Sequence, residues 1–379
     1  MQKRWSAKRF DRLQYRHLVS CFHCCPTPIT TSLERLTTCP ITTCRISCKC
    51  RRKYQEMKVV LAGISHWHAD LHLDAARDAG AEIIGVWDED EAHARGFAAR
   101  NSLSAIAAFE DVLAAPADLI LLMGHPSSVP ARARRIIEAG VPLILEKPAA
   151  TGTAPLMQLR DLAHRRKAFV GVPLPNRFGP AVIAFERLRR EGRAGQVAHG
   201  HFRVVNGPPE RYAADGVGWV VDPAIGGGGA LRNLGIHGVD AALSLASGEI
   251  HLKAVSMGNR IHRAPVEDHA LLVLEDNAGA VFTIEAGYTF ASMLPGGDFE
   301  WRIVSANATL IDRGDKAICA TLDDAAVVDL PVELPATRYR LSMRDTFERL
   351  RRNAAPAISI DDYVAAMSLI DAAYQKAGR

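Results

Sequence analysis

Residues 57–88 read MKVVLAGISHWHADLHLDAARDAGAEIIGVWD, and their pattern decides the fold. Residues 58–63 (KVVLAG) and 82–87 (EIIGVW) are short, densely apolar runs that predict buried strands. Residues 68–79 between them carry apolar side chains at helical spacing and predict a helix. A strand, a helix and a second strand within roughly 30 residues indicate a βαβ unit with parallel strands.

The same alternation continues along the next 85 residues of the chain. Further strands are predicted at 118–123, 141–146 and 168–172, and helices at 128–139 and 155–166. Apolar strands separated by helices are typical of a parallel sheet covered on both faces. The fold class is therefore α/β, with a doubly wound, Rossmann-type parallel sheet over residues 57–175.

After about residue 195 the pattern changes to strands with few helices between them. Strands are predicted at 197–205, 251–257, 269–275, 280–286, 299–305 and 317–321. Helices are predicted at 179–191, through His237 to Leu245, and at 361–377. Residues 176–379 are thus expected to form an α+β domain with a mostly antiparallel open sheet, whose carboxyl-terminal helix returns to the domain junction.

The first 56 residues differ from the rest in charge and cysteine content. They hold 12 of the 46 Lys and Arg residues but only three acids, and seven of the eight cysteines. A zinc site is one interpretation, since Cys21, His23 and Cys24 lie close together and Cys48 and Cys50 follow, but these spacings are not those of zinc knuckles. An Arg-rich transit peptide is another. We favour an artefact of start-site choice, with Met57 as the physiological start and residues 1–56 disordered and dispensable.

The rest of the chain is mildly acidic and poor in cysteine. From Met57 onward 34 basic residues face 39 acidic ones, which argues against nucleic acid as a partner. No apolar stretch approaches the length of a membrane span, so no membrane partner is expected. Cys319 alone remains after Met57, and this scarcity suits a reducing cytoplasm.

The loop after the first strand is a candidate dinucleotide site. Of the usual three glycines only Gly63 is present, while Ser65 is small enough for a phosphate to approach and His66 and Trp67 follow. Asp88 lies 25 residues past Gly63, near the spacing of the acid that binds adenosine ribose hydroxyls, and a carboxylate there favours NAD over NADP. The alternatives are an ordinary strand-to-helix turn, a core tryptophan and a helix-capping aspartate.

The strand at 141–146 ends in Glu146-Lys147-Pro148, at the edge where ligands bind in open α/β sheets. A lysine there is partly desolvated, so its pKa can fall into a useful range. The plain alternative is a surface lysine in a turn closed by proline.

At this point the chain resembles the Gfo/Idh/MocA family of NAD(P)-dependent oxidoreductases over essentially all of residues 57–379. Glu146-Lys147-Pro148 is similar to the family's most specific motif. Residues 176–178 (NRF) with 192–197 (GRAGQV), and residues 227–240 (GGGALRNLGIHGVD), are similar to the segments that open its second domain and form its catalytic helix.

The resemblance implies a Lys-Asp-His catalytic set, in which this chain has Asn233 at the aspartate position. Lys147, His237 and Asn233 are therefore the candidate catalytic residues, with Asn233 positioning substrate and one of the other two carrying the proton. Asn233 and His237 are four residues apart, so one face of a helix should present both. The resemblance further implies that Glu146 and Lys147 contact NAD, that no metal is needed, and that the protein is a homodimer or homotetramer.

Several further residues keep more than one interpretation. His125 either lines the nicotinamide side or is a solvated loop residue. Asn176 and Arg177 are candidate substrate contacts, with Arg203, Asn206 and Arg211 as unranked additions. The crowding of histidines at 66–72 suggests a metal, but hydride transfer in the resembled family needs none.

The function implied is a dehydrogenase or reductase that moves a hydride between nicotinamide and a hydroxyl or carbonyl of a sugar, cyclitol or sugar-derived acid, with a small molecule as its partner. Two alternatives stay open. One is a glycoside hydrolase that uses bound NAD, and the other is a non-catalytic dinucleotide sensor, suggested by the incomplete glycine pattern and by Asn233.

Overall fold

A computed structural model describes residues 56–324 and 326–379. The predicted amino-terminal extension, with its cysteines and the zinc and transit-peptide interpretations, falls outside these residues apart from Glu56. In the part described, no helix is both long and apolar enough to cross a membrane.

The first sheet consists of five strands, all paired in parallel. They are β1 (Met57–Ala62), β2 (Ala81–Trp87), β3 (Leu119–Leu122), β4 (Leu143–Leu145) and β5 (Val170–Gly171), in the spatial order β2-β1-β3-β4-β5. Every residue of β3 and β4 is buried, as expected for strands covered on both faces. The predicted parallel α/β sheet is therefore confirmed.

Five helices connect and cover these strands. They are α1 (Ala69–Asp78), α2 (Glu91–Asn101), α3 (Phe109–Ala114), α4 (Val129–Ala139) and α5 (Thr153–Arg166). The sequence pattern predicted α1, α4 and α5 but not α2 or α3. Asp90 caps α2 by accepting the backbone N–H groups of Ala92 and His93, which is a local signal the apolar pattern does not contain.

The second sheet has eight strands, and all but one of its neighbouring pairs are antiparallel. The strands are β6 (Val197–Asn206), β7 (Ile250–Gly258), β8 (His269–Asp276), β9 (Val281–Gly287), β10 (Gly297–Ser305), β11 (Ala308–Asp312), β12 (Ala317–Thr321) and β13 (Val328–Leu330). Their order is β13-β12-β11-β10-β6-β9-β8-β7, with β6 and β9 parallel. The mostly antiparallel sheet is confirmed, while β11 and β13 were not predicted.

Six α-helices follow β5 in the described residues. They are α6 (Pro180–Arg190), α7 (Pro209–Ala214), α8 (Pro223–Gly226), α9 (Ile236–Leu245), α10 (Pro335–Arg351) and α11 (Ile360–Lys376). Helices α6 and α9 pack on the second sheet, as predicted. Helix α10 was not predicted, and it crosses to α1 beside the first sheet.

Helix α11 packs on helices from both halves of the described chain. Ser359 and Asp362 form a capping box that fixes its start. The Tyr363 hydroxyl accepts the Ala149 N–H at 3.0 Å, on the chain just past β4. The helix packs on both α5 and α9, so the loop after β4 and the start of α9 share one rigid support.

Gly63 is the residue that lets the loops after β1 and β3 approach each other. Its φ of +80° lies in the left-handed region, and a Cβ placed there would be 2.1 Å from the Met123 carbonyl oxygen. Gly80 shares the backbone conformation, with φ +82°, but a Cβ there would meet no atom within 4 Å. Comparing alanine variants of Gly63 and Gly80 therefore separates the cost of backbone strain from the cost of steric overlap.

We expect Gly63→Ala to destabilise the fold more than Gly80→Ala does. The left-handed backbone costs an alanine about 1–2 kcal/mol at either site, and the overlap with Met123 adds about 1–3 kcal/mol at position 63 only. Urea unfolding followed by circular dichroism measures both losses. Equal losses for the two variants would show that the contact with Met123 relaxes freely.

Candidate functional site

The carboxyl ends of the parallel strands gather the polar residues that the sequence singles out. Gly63 follows β1, Asp88 follows β2, and His125 and Lys147 come shortly after β3 and β4. The strand order reverses its direction between β1 and β3, which opens a crevice at this edge of the sheet. Such a switch point is where ligands bind in open α/β sheets.

The Asp88 carboxylate organises the loop after β1. It accepts the Ser65 N–H at 2.8 Å and the Asp90 N–H at 3.0 Å, one on each oxygen. An ionised carboxylate has about four lone-pair positions, so two remain for ribose hydroxyls. The Asp88 carboxylate can therefore accept the Asp90 N–H at the start of α2 and still make its predicted contact with the ribose.

The same edge fits a dinucleotide pyrophosphate. The Gly63 turn has no room for a side chain, and α1 begins at Ala69, directly after the loop. The first N–H groups of a helix lack partners within the helix and attract phosphate oxygens. The residues present therefore suit NAD, with Gly63 and Ser65 at the phosphates and Asp88 at the ribose.

An aromatic cluster stands beside this loop and consists of His66, Trp67, His125 and Trp219. The rings of His66 and Trp67 stack with centroids 3.9 Å apart, and Trp219 lies 5.4 Å from Trp67 and 5.2 Å from His125. His66 is buried at 3% exposure, whereas His125 is half-buried. Trp219 follows α7 in the second half of the chain, and sequence reasoning missed it because only folding brings it to this loop.

Lys147 follows β4, and its side chain contacts Asn233 in the second half of the chain. Its ammonium donates to the backbone oxygen of Asn233 at 3.1 Å and to the Asn233 side-chain Oδ1 at 3.2 Å. The side chain is buried, at 1% exposure. Burial lowers the pKa of Lys147 to about 8, against an opposing effect of the neighbouring Glu146 charge. A lysine of this kind exchanges a proton readily near neutral pH.

The Glu146 carboxylate contacts two histidines, and its predicted contact with NAD stays a prediction. Its carboxylate lies 2.5 Å from His72 Nε2 and 3.2 Å from His68 Nδ1, both on or next to α1. Burial raises the pKa of Glu146, but the two imidazoles outweigh burial and hold that pKa well below its usual value. Glu146 is thus a buried anion that anchors the start of α1 beside Lys147.

Three groups of this neighbourhood lie close enough to hold a metal ion, namely His66, His68 and Glu146, with ligand atoms within 4.8 Å of one another. The His66 ring does not suit that role. Its Nδ1 accepts the His68 N–H at 3.1 Å, so in the neutral ring Nε2 carries the hydrogen and is no ligand. Burial lowers the pKa of His66 well below its usual value and keeps the ring neutral. We therefore assign no metal to this group.

Asn233 and His237 lie at the start of the buried helix, but not on one regular α-helix as predicted. Residues Leu231–Gly235 form a π-helical turn, with the Ile236 N–H bonded to the Leu231 oxygen, and α9 begins only at Ile236. Such turns carry an extra residue and recur at functional sites. Asn233 and His237 nevertheless line the same pocket as Lys147. Burial lowers the pKa of His237 well below its usual value, and the Lys147 charge adds to that effect.

Glu267 fixes the glycine-rich segment ahead of this turn. Its buried carboxylate accepts the N–H groups of Gly229 and Leu231 at 3.0 and 2.9 Å and the Tyr374 hydroxyl at 2.7 Å. A Cβ on Gly229 would lie 2.2 Å from the Glu267 backbone oxygen, so the glycine permits this approach. No local pattern in the sequence marks Glu267, because its partners lie about 36 to 107 residues away.

The pocket between the two sheets is open and holds roughly 1150 Å³, which is large enough for a sugar beside a nicotinamide. Besides the three predicted catalytic residues, its wall includes polar groups from several elements. They are Asn176, Arg203, Asn206, Arg211, Tyr212, Asp298 and Glu300. Asn176 is thus on the wall, where a substrate contact was predicted.

Arg177 is placed differently from its neighbour Asn176. Its guanidinium makes two hydrogen bonds to Asp240 of α9, at 2.6 and 2.8 Å, and lies 3.5 Å from Asp362 of α11. It does not line the pocket. The structure therefore gives Arg177 a contact that braces α9 against α11, and its predicted contact with substrate stays a prediction.

Two family models match most of the described chain. The model described as an oxidoreductase family with an NAD-binding Rossmann fold matches residues 57–173. The model described as the GFO/IDH/MocA C-terminal domain matches residues 182–311. A sequence search of curated proteins finds no significant match.

Solved structures with the same fold are distant in sequence. An oxidoreductase from Agrobacterium radiobacter in complex with NAD+, L-tartaric acid and magnesium is 18% identical, with 86% of this chain and 97% of that chain covered and a TM-score of 0.75. A levoglucosan dehydrogenase in complex with NADH and levoglucosan is 17% identical, with 86% and 98% covered and a TM-score of 0.75. The WlbA dehydrogenase from Bordetella pertussis, in complex with NADH and UDP-GlcNAcA, is 18% identical, with 85% and 95% covered and a TM-score of 0.71.

We expect Arg177→Ala to destabilise the fold by about 3–5 kcal/mol, because it leaves the Asp240 carboxylate buried without a counter-charge. Arg134→Ala is the matched control, since Arg134 pairs with Glu138 on an exposed helix face and its loss should change stability by less than about 0.5 kcal/mol. Chemical denaturation measures both. If Arg177→Ala had normal stability but a raised KM, Arg177 would be a substrate contact and not a structural ion pair.

Proposed function

The chain belongs to the GFO/IDH/MocA family of oxidoreductases, whose Rossmann domain binds NAD, and from this premise we propose that it oxidises or reduces a sugar, cyclitol or sugar-derived acid. The observation that carries the proposal is the placement of Lys147. A buried ammonium with a pKa near 8 opens onto a polar pocket, at the edge of the sheet that suits the dinucleotide.

The proposed chemistry takes a hydride and a proton from one CH–OH group. When bound, NAD+ accepts the hydride and NADH returns it. The neutral amine of Lys147 takes the hydroxyl proton during oxidation, and its ammonium gives the proton back during reduction. Asn233 holds the Lys147 nitrogen in place through two oxygens and has no proton to exchange near neutral pH.

His237 takes a supporting role in this proposal. Its lowered pKa disfavours the imidazolium, so His237 is the poorer proton acceptor and is given a hydrogen bond to substrate. A neutral imidazole also avoids a second positive charge beside Lys147. The proton role is therefore given to Lys147 rather than to His237.

The polar wall of the pocket supports a polyhydroxylated substrate. Its arginines are paired with acids, as in Arg203 with Glu285 and Asp298, so the wall offers donors and acceptors with little net charge. Two fold neighbours, the levoglucosan dehydrogenase and the WlbA dehydrogenase, were solved with sugar ligands. These points favour a hydroxylated ligand over an apolar one.

We also propose a cytoplasmic homodimer or homotetramer. The scarcity of cysteine after Met57 supports a reducing compartment, with Cys319 buried and free. On the second sheet, alternate residues stay exposed or half-buried away from α6 and α9, which leaves a face for subunit pairing. Light scattering of the purified chain measures the oligomeric state.

The function is tested with wild-type protein and a panel of sugars, cyclitols and sugar acids, in both directions with NAD+ and NADH. We expect turnover with at least one member, and Lys147→Met should lower kcat by about 100-fold or more while the NADH Kd changes less than about threefold. Lys253→Met is the control, because Lys253 is a half-exposed residue of β7 and should retain activity.

Other results would point to the alternatives. NAD-dependent hydrolysis of nitrophenyl glycosides without net NADH release would support the glycoside hydrolase. Tight NADH binding with no turnover on any substrate, unchanged by Lys147→Met, would support the sensor and contradict the dehydrogenase.

The pH dependence follows from the lowered pKa of Lys147. Oxidation requires the neutral amine, so kcat should rise with pH through about 8 and then level off. Reduction requires the ammonium, so its kcat should be full below pH 8 and fall above it. Steady-state rates between pH 6 and pH 10 check both limbs. An inflection well below pH 6.5 that disappears in His237→Asn would assign the proton to His237 instead.

A further inference from the structure

Tyr212 is a pocket residue that neither the sequence motifs nor the proposed chemistry uses. It lies on α7, between β6 and α9, and its side chain is largely buried, with 7% exposure. It lines the pocket together with Lys147, Asn233 and His237. Its ring packs edge-on against Tyr288, with centroids 5.2 Å apart, which holds the phenol in one orientation.

The hydrogen bonds to the Tyr212 oxygen leave its proton uncommitted. Asn233 Nδ2 and Asn206 Nδ2 each lie 3.3 Å from that oxygen. An amide nitrogen donates and does not accept, so the phenol oxygen is the acceptor in both contacts. Among residues 56–324 and 326–379 no group accepts the Tyr212 hydrogen. A largely buried donor without an acceptor at a pocket wall is suited to bind a ligand oxygen.

The phenol also keeps its proton at physiological pH. Burial raises the pKa of Tyr212 above its ordinary value, and the two amides that donate to it oppose this only in part. Tyr212 is therefore suited to donate a hydrogen bond and unsuited to act as a base. This distinguishes its chemistry from that of Lys147.

We propose that Tyr212 is a further catalytic residue, whose O–H donates a hydrogen bond to the reacting oxygen of the substrate. The inference rests on the proposed dehydrogenase function. During oxidation the carbon loses its hydride to the nicotinamide and the hydroxyl loses its proton to the Lys147 amine. Tyr212 keeps its own hydrogen throughout and stabilises the negative charge that develops on the substrate oxygen. In reduction the same bond polarises the carbonyl.

Asn233 links the two groups that act on this oxygen. Its Oδ1 accepts from the Lys147 ammonium, and its Nδ2 donates to the Tyr212 phenol. A carboxylate at this position has no hydrogen to donate and would accept the Tyr212 hydrogen itself. The amide therefore leaves the phenol hydrogen available to substrate, which gives a physical reason for asparagine at this position.

The test compares Tyr212→Phe with Tyr288→Phe. Both tyrosines accept from the same Asn233 Nδ2, at 3.3 and 3.0 Å, but Tyr288 is fully buried and does not line the pocket. We expect Tyr212→Phe to lower kcat by about 100-fold, with KM and the NADH Kd changed less than about threefold. Tyr288→Phe should keep kcat within about threefold of wild type. A primary deuterium isotope effect, measured with substrate deuterated at the reacting carbon, should rise in Tyr212→Phe only.

A second variant tests the same hydrogen without removing the tyrosine. In the reduction direction, where a raised pKa of Lys147 does not slow the reaction, Asn233→Asp should lower kcat about as much as Tyr212→Phe, because the carboxylate takes the phenol hydrogen. The double variant, with Tyr212→Phe and Asn233→Asp together, should have a kcat no lower than that of the slower single variant, because both changes remove the same hydrogen bond. If Tyr212→Phe does not fold, the rate of Asn233→Asp against wild type still tests the inference by itself.

Three results would overturn the inference. They are a Tyr212→Phe enzyme with kcat within about threefold of wild type, an equal loss in both tyrosine variants, or an Asn233→Asp enzyme as fast as wild type. The equal loss would show that Tyr212 acts only by holding Asn233. If the wild-type protein turned over no member of the panel, the proposed function would be wrong, and the role proposed for Tyr212 would be wrong with it. This outcome is seen with the wild-type protein alone and so differs from the three results above.

Discussion

The hydrogen bonds from Lys147 to Asn233 connect the two halves of the molecule, and the site depends on them. A buried ammonium is costly unless oxygen atoms replace its water shell, and here two oxygens of one residue do so, at 3.1 and 3.2 Å. Lys147 comes from the end of β4 and Asn233 from the turn before α9. The cation can therefore be accommodated only when the second sheet and its helices are docked on the first.

The surrounding contacts keep that docking in register. Helix α11 holds the chain after β4 through Tyr363, and Arg232 beside Asn233 pairs with Asp371 of the same helix at 2.7 Å. Glu267 fixes the backbone of the glycine segment from the opposite side. Each of these side chains is buried, except the half-buried Asp371, and all are hydrogen-bonded, so a shift at one helix leaves polar groups unpaired. The position of the Lys147 nitrogen is thus set by several elements.

The fold was predictable where apolar density sufficed to identify an element. All five strands of the first sheet were recognised, because strands buried on both faces read as continuous apolar runs. Helix α2 (EAHARGFAARN) was missed because few large apolar residues mark its buried face. Helix α10 was missed because arginines and other polar residues dominate its sequence, although Tyr339, Met343 and Phe347 bury one stripe against α1. Strand β13 was missed because its three residues are mostly exposed and so lack the apolar pattern of a buried strand, and β11 was missed as well.

The site was predictable in its residue types and less so in its contacts. Lys147, Asn233, His237 and Asn176 reach one pocket, while Glu146 and Arg177 turn to partners 74 and 63 residues away in sequence. A charged side chain next to a motif has the same sequence signature whether it meets a ligand or a buried counter-charge. Tyr212 and Trp219 carried no signal, because the short helical turns that hold them have too few residues for a clear apolar pattern and only folding brings them to the site.

The asparagine at position 233 has an electrostatic consequence as well as a hydrogen-bonding one. A carboxylate in contact with the Lys147 ammonium would favour the charged form and raise its pKa, since an opposite charge within hydrogen-bonding distance stabilises that form. The neutral amide solvates the ammonium without adding a counter-charge, and the neighbouring Glu146 carboxylate contacts His68 and His72. Burial then dominates and brings the pKa of Lys147 to about 8. In the proposed chemistry, asparagine in place of the aspartate that the family resemblance implies is therefore what lets this lysine act as a base at mildly alkaline pH.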